Sequence, residues 1–536
     1  MSSSRKSVII IGSGIGGTAL AARLSHKNFD VTVYEKNSFS GGRLSLIHKN
    51  GFRFDQGPSL YLMPKVFEET FDDLDESVND HLDLLRCKSN YTLNFHDGDK
   101  FELSCDLANM FEQLRKYEGS DERTFLNFMD YLKETHVHYE RSVALALKEN
   151  YEHWYDEFQL RHIPNVNKMH LWDNVYNRAK RFFNSEKMRK AFTFQTMYIG
   201  MSPFDSPAPY NLLQYTEIVE GIWYPRGGFH KVIESLENIA TKKFDAEFRY
   251  EMGVEKIIVD GNNVAKGVRL ENGEEKYADL VVCNADLVYA YNKLLPPTTY
   301  GTRLGEKGEL TSSSISFYWG IKRKMPELDV HNIFLSKDYR SSFDDIFKRH
   351  LLPEDPSFYI NVPSKIDPSA APNGKETVVL LLPMSHISQC NQHRIDELIK
   401  TARMKVIKRL ESCLGISNFE DLIETEEINE PRTWQTKFNL WKGSILGLSH
   451  NILQVLHLRP STRSHLFKNL YFVGASAHPG TGVPIVLCGA KLVEKQILED
   501  CGLIKRTDRR AKIFMEYFAF IIAVATFFYI LMNLLY

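Results

Sequence analysis

The sequence predicts an α/β protein with a discontinuous Rossmann-like domain built on a parallel sheet, a mixed α+β second domain and a C-terminal membrane helix. A β-branched run at residues 8–11 leads into a glycine-rich turn at 12–17, which is typical of a parallel strand buried on both faces. A second strand, glycine and helix-like run follow far downstream at 469–498. Residues 517–536 carry no charged side chain. The sheet-forming segments therefore lie at both ends of the chain, with an apolar segment after them.

The composition is that of an ordinary globular chain. Of its 536 residues, 43% are hydrophobic and 25% are charged, which excludes disordered and low-complexity classes. The chain has 66 Lys and Arg residues and 68 Asp and Glu residues, and this balance excludes nonspecific electrostatic binding of nucleic acid. The seven cysteines form no C-x-x-C pair, and no H-E-x-x-H spacing occurs. We therefore predict no metal site, and a reducing compartment.

The turn at residues 12–17 reads Gly-Ser-Gly-Ile-Gly-Gly, a G-x-G-x-x-G between a strand and a helix-like run. Its first glycine permits a tight turn, its second lets the backbone approach a pyrophosphate, and its last lets helix and strand pack closely. The helix N-terminus offers unpaired N–H groups to phosphate. An acid after the next strand can accept hydrogen bonds from ribose hydroxyls. The candidate dinucleotide contacts are Gly12, Gly14, Gly16, Gly17, Glu35 and Lys36.

A second glycine signature, Ser-Gly-Gly-Arg, follows at residues 40–43. It resembles the second signature of flavoproteins with two dinucleotide-binding domains, in which the arginine approaches the FAD pyrophosphate. The guanidinium of Arg43 offers phosphate a bidentate fork, and Gly41 and Gly42 are too small to block it. The signature therefore favours FAD, with NAD as the less favoured cofactor.

A Gly/Pro-rich loop at residues 475–484 separates a strand at 469–474 from a helix-like run at 485–498. A helix N-terminus fed by such a loop stabilises negative charge. Here that charge would be the one on a reduced flavin.

Blocks spread over residues 8–498 resemble the bacterial and fungal carotenoid desaturases, the phytoene desaturase family. The blocks are GFRFDQGPS at 51–59, FQTMYIG at 194–200, SPAPY at 206–210, GIWYPRGG at 221–228, HNIFL at 331–335 and DPSFY at 355–359. In the wider amine-oxidase-like flavoproteins an acid usually follows the glycine that stands here at Gly474. This chain has Ala475, which departs from that wider pattern and agrees with the phytoene desaturases.

The resemblance implies an FAD-dependent oxidoreductase that acts on CH–CH groups. The implied reaction is stepwise desaturation of phytoene toward lycopene or more desaturated carotenes, by hydride transfer to the flavin. The further cofactor contacts are Gly57, Pro58, Ser59, Val254, Gly474, Ala475, Gly482, Val483 and Pro484. Two alternatives stay open: another flavin-dependent lipid oxidoreductase of the retinoid-saturase type, and a non-catalytic escort protein for prenyl lipids. The intact glycines and the loop at 474–484 argue against the escort protein.

No catalytic residue is assigned from the sequence. The candidate acid–base groups are Asp55, Glu217, Arg226 and His331. A turn acceptor is the better interpretation of Asp55, and a hydrogen-bonded structural role is the better interpretation of His331. The aromatic-rich segment 151–225 is equally typical of an aromatic core and of an apolar ligand tunnel, and it could also rest on a bilayer surface.

The C-terminal segment 513–536 is predicted to be a single-pass transmembrane anchor, because a helix of about 20 apolar residues spans a bilayer core. A basic flank precedes it: Lys505, Arg506, Arg509, Arg510 and Lys512. An amphipathic helix lying on the membrane is the alternative. We expect the catalytic body on the cytosolic side of the endoplasmic reticulum or a similar endomembrane. The expected partners are the lipid bilayer, the polyene substrate and a quinone or oxygen as electron acceptor, without nucleic acid.

The predicted FAD-binding domain combines residues 1–105, 225–295 and 430–505. The predicted substrate domain, which faces the membrane, combines residues 106–224 and 296–429.

Overall fold

A computed structural model describes residues 5–120, 122–157, 159, 168–506, 514–518, 521–522 and 526. Its strands are β1 Ser7–Ile11, β2 Asp30–Tyr34, β3 Leu46–Lys49, β4 Phe52–Asp55, β5 Leu84–Arg86, β6 Tyr91–Asn94, β7 Lys100–Leu103, β8 Trp223–Pro225, β9 Glu247–Arg249, β10 Val254–Val259, β11 Ala265–Leu270, β12 Glu275–Tyr277, β13 Leu280–Cys283, β14 Ser313–Ile321, β15 His331–Phe334, β16 Phe358–Asn361, β17 Glu376–Met384, β18 Ile423–Asn429 and β19 Leu470–Phe472.

The α-helices are α1 Ile15–His26, α2 Pro64–Asp72, α3 Val78–His81, α4 Leu107–Glu118, α5 Glu122–Ser142, α6 Val175–Phe182, α7 Glu186–Ala191, α8 Leu212–Tyr215, α9 Lys231–Phe244, α10 Leu287–Tyr289, α11 Thr299–Lys307, α12 Tyr339–Asp344, α13 Ile395–Leu414, α14 Pro431–Phe438 and α15 Val483–Asp500.

A five-stranded parallel sheet joins the two ends of the chain. Its strand order is β19-β13-β1-β2-β9, and every neighbouring pair is parallel. The predicted strand at 8–11 is thus confirmed, and the downstream strand at 469–474 joins the same sheet two places away. The carboxyl ends of β1, β2, β13 and β19 meet at one edge, where ligands bind in open α/β sheets.

The two faces of β1 pack against different layers. Val8 and Ile10 face the helices α1, α9 and α15, whereas Ile9 and Ile11 face the antiparallel sheet β10-β11-β12. All four side chains are buried, because the strand has a packed layer on each side. A continuous β-branched run is the sequence pattern that this two-sided burial requires.

A seven-stranded mixed sheet is the second large sheet of the structure. Its order is β18-β14-β17-β16-β15-β6-β7, and only the β15–β6 pair is parallel. One face packs against α13 through Phe317, Trp319 and Leu410, which are fully buried. The predicted combination of a parallel sheet with a mixed α+β part is therefore confirmed.

The strands β6 and β7 enter the mixed sheet from the N-terminal part of the chain, inside the range 1–105 predicted for the FAD-binding domain. Because the chain crosses between the two sheets in this way, the exact domain bounds stay a prediction. Two short antiparallel pairs, β3–β4 and β5–β8, complete the strands.

Most of the predicted anchor at 513–536 lies outside the described residues. Within the part of the chain that the structure describes, no helix is both long enough and apolar enough to cross a membrane.

Candidate functional site

A deep cleft opens at the carboxyl edge of the parallel sheet. It encloses about 950 Å³, with open solvent at its mouth included. Its lining comes from the turns after β1, β2, β13 and β19 and from the start of β10. The cleft is thus built by segments that lie more than 400 residues apart in the chain.

The glycine turn after β1 forms one wall of the cleft. Gly12 has φ +92°, in the left-handed region that glycine adopts without strain. A Cβ atom at Gly17 would lie 2.1 Å from the carbonyl oxygen of Gly12, so helix α1 packs against the turn only because that side chain is absent. Asn284 Nδ2 donates to the same carbonyl at 3.1 Å and ties β13 to the turn.

Helix α1 begins at the cleft without a capping side chain. Its N-cap residue is Gly14, and no side chain accepts a hydrogen bond from the first turn. The free N–H groups of such a turn carry partial positive charge and form a site for phosphate. The first turn of α1 therefore fits a pyrophosphate.

Glu35 follows β2 and points back at the glycine turn. Its carboxylate accepts from Ser13 N at 2.9 Å and from Asn37 N at 2.9 Å, so each oxygen holds one backbone amide. The side chain is buried and lines the cleft. Ser13 Oγ and Asn37 Nδ2 also donate to these oxygens, at 3.1 Å and 2.8 Å, so a ribose hydroxyl would replace one of these two side-chain donors.

Arg43 lies deeper in the cleft. Its guanidinium donates to the carbonyl oxygen of Ile445, and Asp286 contributes a favourable charge nearby. Burial lowers the pKa of Arg43, and Asp286 partly offsets that shift. Burial also raises the pKa of Asp286, which accepts from Ser476 Oγ at 2.8 Å. A diphosphate would complete the charge balance of this arginine.

The downstream turn closes the cleft from the other side. Gly474 has φ +120°, and Gly474 and Ala475 both line the cleft. Helix α15 begins after Gly482, which has φ +109° and provides no capping side chain. The predicted helix start at Ile485 is corrected to Val483, because a proline in the first turn needs no N–H partner and is accommodated there.

Residues 57–59 pack against the segment that carries Arg43 and do not themselves line the cleft. A Cβ atom at Gly57 would lie 2.6 Å from the carbonyl oxygen of Arg43, so only glycine permits that contact. Two residues later, Ser59 Oγ shares a 2.7 Å hydrogen bond with Tyr359 Oη.

The structure brings most of the predicted contacts to one cleft. Those that line it are Gly12, Gly14, Gly16, Glu35, Lys36, Gly41, Gly42, Arg43, Val254, Gly474 and Ala475. Those that stand outside the lining are Gly17, Gly57, Pro58, Ser59, Gly482, Val483 and Pro484. Lys36 Nζ donates to Thr436 O at 2.6 Å, so this lysine fastens α14 to the cleft.

The sequence analysis did not single out several cleft residues: Glu271, Asn284, Asp286, Tyr289, Lys437 and Leu440. Asn284 and Asp286 follow the buried strand β13 directly. Polar side chains just beyond the carboxyl end of a parallel strand are a recognisable signal of a ligand site, and that signal would have identified these two.

Two of the four candidate acid–base groups have structural roles. Asp55 accepts from Tyr224 Oη at 2.6 Å and from Phe229 N at 2.7 Å, which fastens β4 to the start of α9. Burial raises its pKa, and these donors oppose the shift. Arg226 is half-exposed and pairs with Asp83 at 2.5 Å on the surface. Asp55 is therefore a structural acceptor, as the sequence analysis favoured, and Arg226 lies on the protein surface.

The other two candidates are buried together. His331 Nδ1 shares a 2.8 Å hydrogen bond with Tyr359 Oη, and burial lowers the pKa of His331 to about 3. Glu217 accepts from Tyr91 Oη at 2.9 Å, and burial raises the pKa of Glu217 to about 8. At neutral pH both side chains are therefore largely uncharged.

Many aromatic side chains of the segment 151–225 are buried in the hydrophobic core. Phe183 and Phe192 stack with ring centroids 4.3 Å apart, and both are buried. Trp154 and Trp172 are exceptions, with 66% and 90% of their surface exposed.

One group of metal-ligand side chains occurs in the described part of the chain: Glu134, His138 and His170. Arg178 Nε donates to Glu134 at 2.8 Å, so a cation already neutralises this carboxylate. His138 Nε2 and His170 Nδ1 lie 3.0 Å apart and form a hydrogen bond. The group is a buried ion pair beside a histidine pair.

Comparisons with known proteins agree with this geometry. The model of the family "Flavin containing amine oxidoreductase" matches residues 15–487. The phytoene desaturase of Phycomyces blakesleeanus is 56% identical over 93% of this chain and 86% of its own length. The phytoene desaturase of Fusarium fujikuroi is 47% identical over 94% and 91%, respectively. A solved oxidoreductase from Methanosarcina mazei shares the fold, with a TM-score of 0.59, 15% identity, and coverage of 91% of this chain and all of that one.

The cofactor is FAD. Two uncapped helix N-termini, a cleft-facing arginine and an acid placed for a ribose are the donors and acceptors that a flavin dinucleotide requires. The chain belongs to the flavin-containing amine oxidoreductases and, within them, to the phytoene desaturases, oxidoreductases that act on CH–CH groups.

Proposed function

We propose that this protein removes hydrogen from phytoene in successive steps, toward lycopene or more desaturated carotenes. The observation that carries the proposal is the 56% identity to the Phycomyces phytoene desaturase over 93% of the chain. The cleft supports it, because an unactivated hydrocarbon needs a redox cofactor as hydride acceptor.

Each wall of the cleft has a task in holding FAD. The first turn of α1 would bind the pyrophosphate, Glu35 would accept from the ribose hydroxyls, and Arg43 would donate to phosphate oxygen. The turn at Gly474 and Ala475, which lines the cleft ahead of α15, would hold the flavin ring. When bound, the flavin supplies an acceptor for hydride. The protein orients the substrate carbon, excludes water and receives the proton that leaves the neighbouring carbon.

The reaction is tested by expressing the protein in cells that accumulate phytoene and separating the pigments by chromatography. We expect phytoene to be depleted and coloured carotenes to appear. A cleft variant that cannot retain flavin serves as the control and should leave phytoene unchanged. Unchanged phytoene with well-expressed, flavin-loaded wild-type protein would contradict the proposed function, and would favour a flavin-dependent oxidoreductase of another lipid.

We further propose that the C-terminal segment 513–536 anchors the protein in the endoplasmic reticulum or a similar membrane, with the catalytic body on the cytosolic side. Arg506 Nη2 lies 3.9 Å from Glu152, two residues before the exposed Trp154. Arg506, the last residue before the described chain is interrupted, therefore lies near a segment with an exposed aromatic side chain. Aromatic and basic side chains favour the membrane interface, and a membrane-dissolved substrate requires access to it.

Deleting residues 513–536 is expected to move the protein from the membrane fraction to the soluble fraction, because the charge-free segment provides the inserted apolar surface. The measurement is fractionation of cell lysates followed by immunoblotting. Exchanging Trp172, which is 90% exposed, for serine in the full chain is the control and should leave the protein in the membrane. A deletion variant that stays fully membrane-bound would show that another surface docks the protein.

The electrons must leave the reduced flavin after each step. We propose a quinone or molecular oxygen as the acceptor, since both accept two electrons and two protons. An anaerobic assay with and without an added quinone distinguishes them: turnover only with the quinone identifies the quinone.

A further inference from the structure

Glu217 is a buried carboxyl group without a cationic partner. It lies in a π-helical turn, Thr216–Glu220, and 1% of its surface is exposed. Its oxygens accept from Tyr91 Oη at 2.9 Å and from Gln195 Nε2 at 3.1 Å, and no lysine, arginine or histidine of the described residues is among its partners. π-Helical turns occur often at functional sites. A carboxyl group kept in an apolar interior by two neutral donors is costly for stability, which favours a role in function.

A tyrosine hydroxyl beside this carboxyl group has no hydrogen-bond partner. Tyr198 Oη is buried and has no hydrogen-bond partner within 3.5 Å in the described structure, although the Tyr91 hydroxyl is near enough to interact with it. The Tyr198 ring lies between those of Tyr91 and Tyr359, with centroids 6.3 Å and 6.4 Å away. Buried polar atoms in native proteins are nearly always paired, so an unpaired hydroxyl indicates a place where a ligand or water takes part.

One path of contacts joins this cluster to Arg43, which lines the cleft. The carbonyl of Arg43 contacts Gly57, two residues before Ser59. Ser59 shares its 2.7 Å hydrogen bond with Tyr359, whose ring faces Tyr198.

A second path runs from Arg43 to the turn that carries Tyr198. The guanidinium of Arg43 donates to the carbonyl of Ile445. Ile445 N donates to Ser312 O at 3.1 Å, and Ser312 N donates to Gly200 O at 3.1 Å. Gly200 stands two residues after Tyr198. The first path ends at Tyr359 and Tyr198 and the second at Gly200, so segments 57–59 and 198–200 connect Arg43 in the cleft wall to the cluster of Tyr91, Tyr198 and Glu217.

We propose that Glu217 is the base of the desaturation, which accepts the proton from the carbon next to the one that gives up hydride; this rests on the proposed function. One C–H bond breaks with its electron pair, which passes as hydride to the flavin. The neighbouring C–H bond breaks heterolytically, its electrons form the new C=C bond, and the proton goes to the Glu217 carboxylate. When the quinone or oxygen acceptor takes two electrons from the flavin, it takes the flavin-borne proton and the proton on Glu217, which restores the carboxylate.

The surroundings of Glu217 suit this task. The titratable groups that face it are the Cys105 thiol, which donates to the Glu217 carbonyl oxygen at 3.5 Å, and tyrosines on β6, α5, β16 and the Phe194–Ile199 turn, namely Tyr91, Tyr131, Tyr198 and Tyr359. Burial raises the pKa of each of these tyrosines, so they stay neutral and act only as donors or acceptors. A carboxyl group with a pKa of about 8 is a stronger base than one with an ordinary pKa.

The sign of the pH dependence follows from the direction of transfer. Only ionised Glu217 can accept a proton, so the rate of flavin reduction by phytoene in an anaerobic single turnover should rise about tenfold per pH unit below the pKa of about 8 and level off above it. Tyr91→Phe removes a donor that lowers the pKa of Glu217, so the rise should move to higher pH.

Glu217→Gln tests the proposal directly. The amide mimics the neutral acid in shape, so the variant should fold and keep its flavin absorbance, while the single-turnover rate falls by about 10²–10⁴. An infrared titration gives a readout independent of activity: the carboxylic C=O band lost on raising pH through the pKa should be missing in the variant. Glu309→Gln is the matched control, because Glu309 also has a pKa raised by burial yet bonds Asn451 outside this cluster.

The outcomes separate the two claims. If wild-type protein is reduced by phytoene and Glu217→Gln is reduced equally fast, Glu217 is not the base and the proposed function stands. If wild-type, flavin-loaded protein is not reduced by phytoene at all, the proposed function itself fails. A pH profile that stays flat in the wild type, with no infrared band assigned to Glu217, would also overturn the role of this residue.

Discussion

Gly17→Ala is expected to strip the flavin from the protein. The new Cβ would lie 2.1 Å from the carbonyl oxygen of Gly12 and 3.0 Å from Asn284 Nδ2. The first atom belongs to backbone, so the turn and helix α1 must separate. Separation moves the free N–H groups of α1 away from the pyrophosphate, and an affinity loss of at least tenfold, about 1.4 kcal/mol, is expected.

The measurement is the ratio of flavin to protein absorbance in the purified variant, together with its thermal unfolding. Gly261→Ala is the matched control, because nothing lies within 4 Å of its new Cβ and its backbone is not left-handed. Retention of wild-type flavin content by Gly17→Ala would show that the turn can relax, and would contradict the close packing of α1 against β1.

Arg459→Met is expected to lower the free energy of unfolding by about 3 kcal/mol or more and to loosen the flavin. Arg459 is 1% exposed and donates to carbonyl oxygens in two loops. The accepting residues are Leu448, Ser449, Gln454, Ala475 and Ala477. Methionine fills a similar volume and donates nothing, so these carbonyls would lose their shared partner. The turn at Ala475 would then lose its support from behind.

Chemical denaturation and flavin absorbance measure the two effects separately. Burial lowers the pKa of Arg459 to about 10, so the guanidinium stays charged at neutral pH. Arg459→Lys keeps the charge but loses the planar guanidinium, so its free energy of unfolding and its flavin content should lie between those of wild type and Arg459→Met. Arg394→Met, at an exposed arginine, is the control and should match wild type. Equal stability of Arg459→Met and wild type would contradict the role of this arginine as the link between the loops.

In several places the sequence predicted the ends of strands and helices to within one to three residues. The strand predicted at 469–474 is observed as Leu470–Phe472, and the helix-like run predicted at 485–498 is observed as Val483–Asp500. These elements are predictable because alternation, β-branching and turn residues act within a few positions of one another. The glycine turn and Glu35 were equally local, since strand, turn, helix and acid come in one continuous stretch.

The remainder of the site depended on contacts between distant segments. Asn284 ties β13 to the turn after β1, and Arg459 ties two C-terminal loops together. Glu217 gained its raised pKa from burial under β6 and the turn at 194–199. None of these three roles can be derived from neighbours in sequence, since each depends on which partner the fold brings within about 3 Å.

The sequence by itself determined the nucleotide-binding start, the preference for FAD and the family, because those signals are short, ordered motifs whose chemistry needs fixed spacing. Only the tertiary structure decided that Asp55 is a structural acceptor, that Arg226 lies at the surface and that Glu217 is buried with two neutral hydrogen-bond donors as its partners. The physical reason is that the charge state and the task of an ionisable side chain depend on burial and on partners far along the chain, and a linear pattern carries neither.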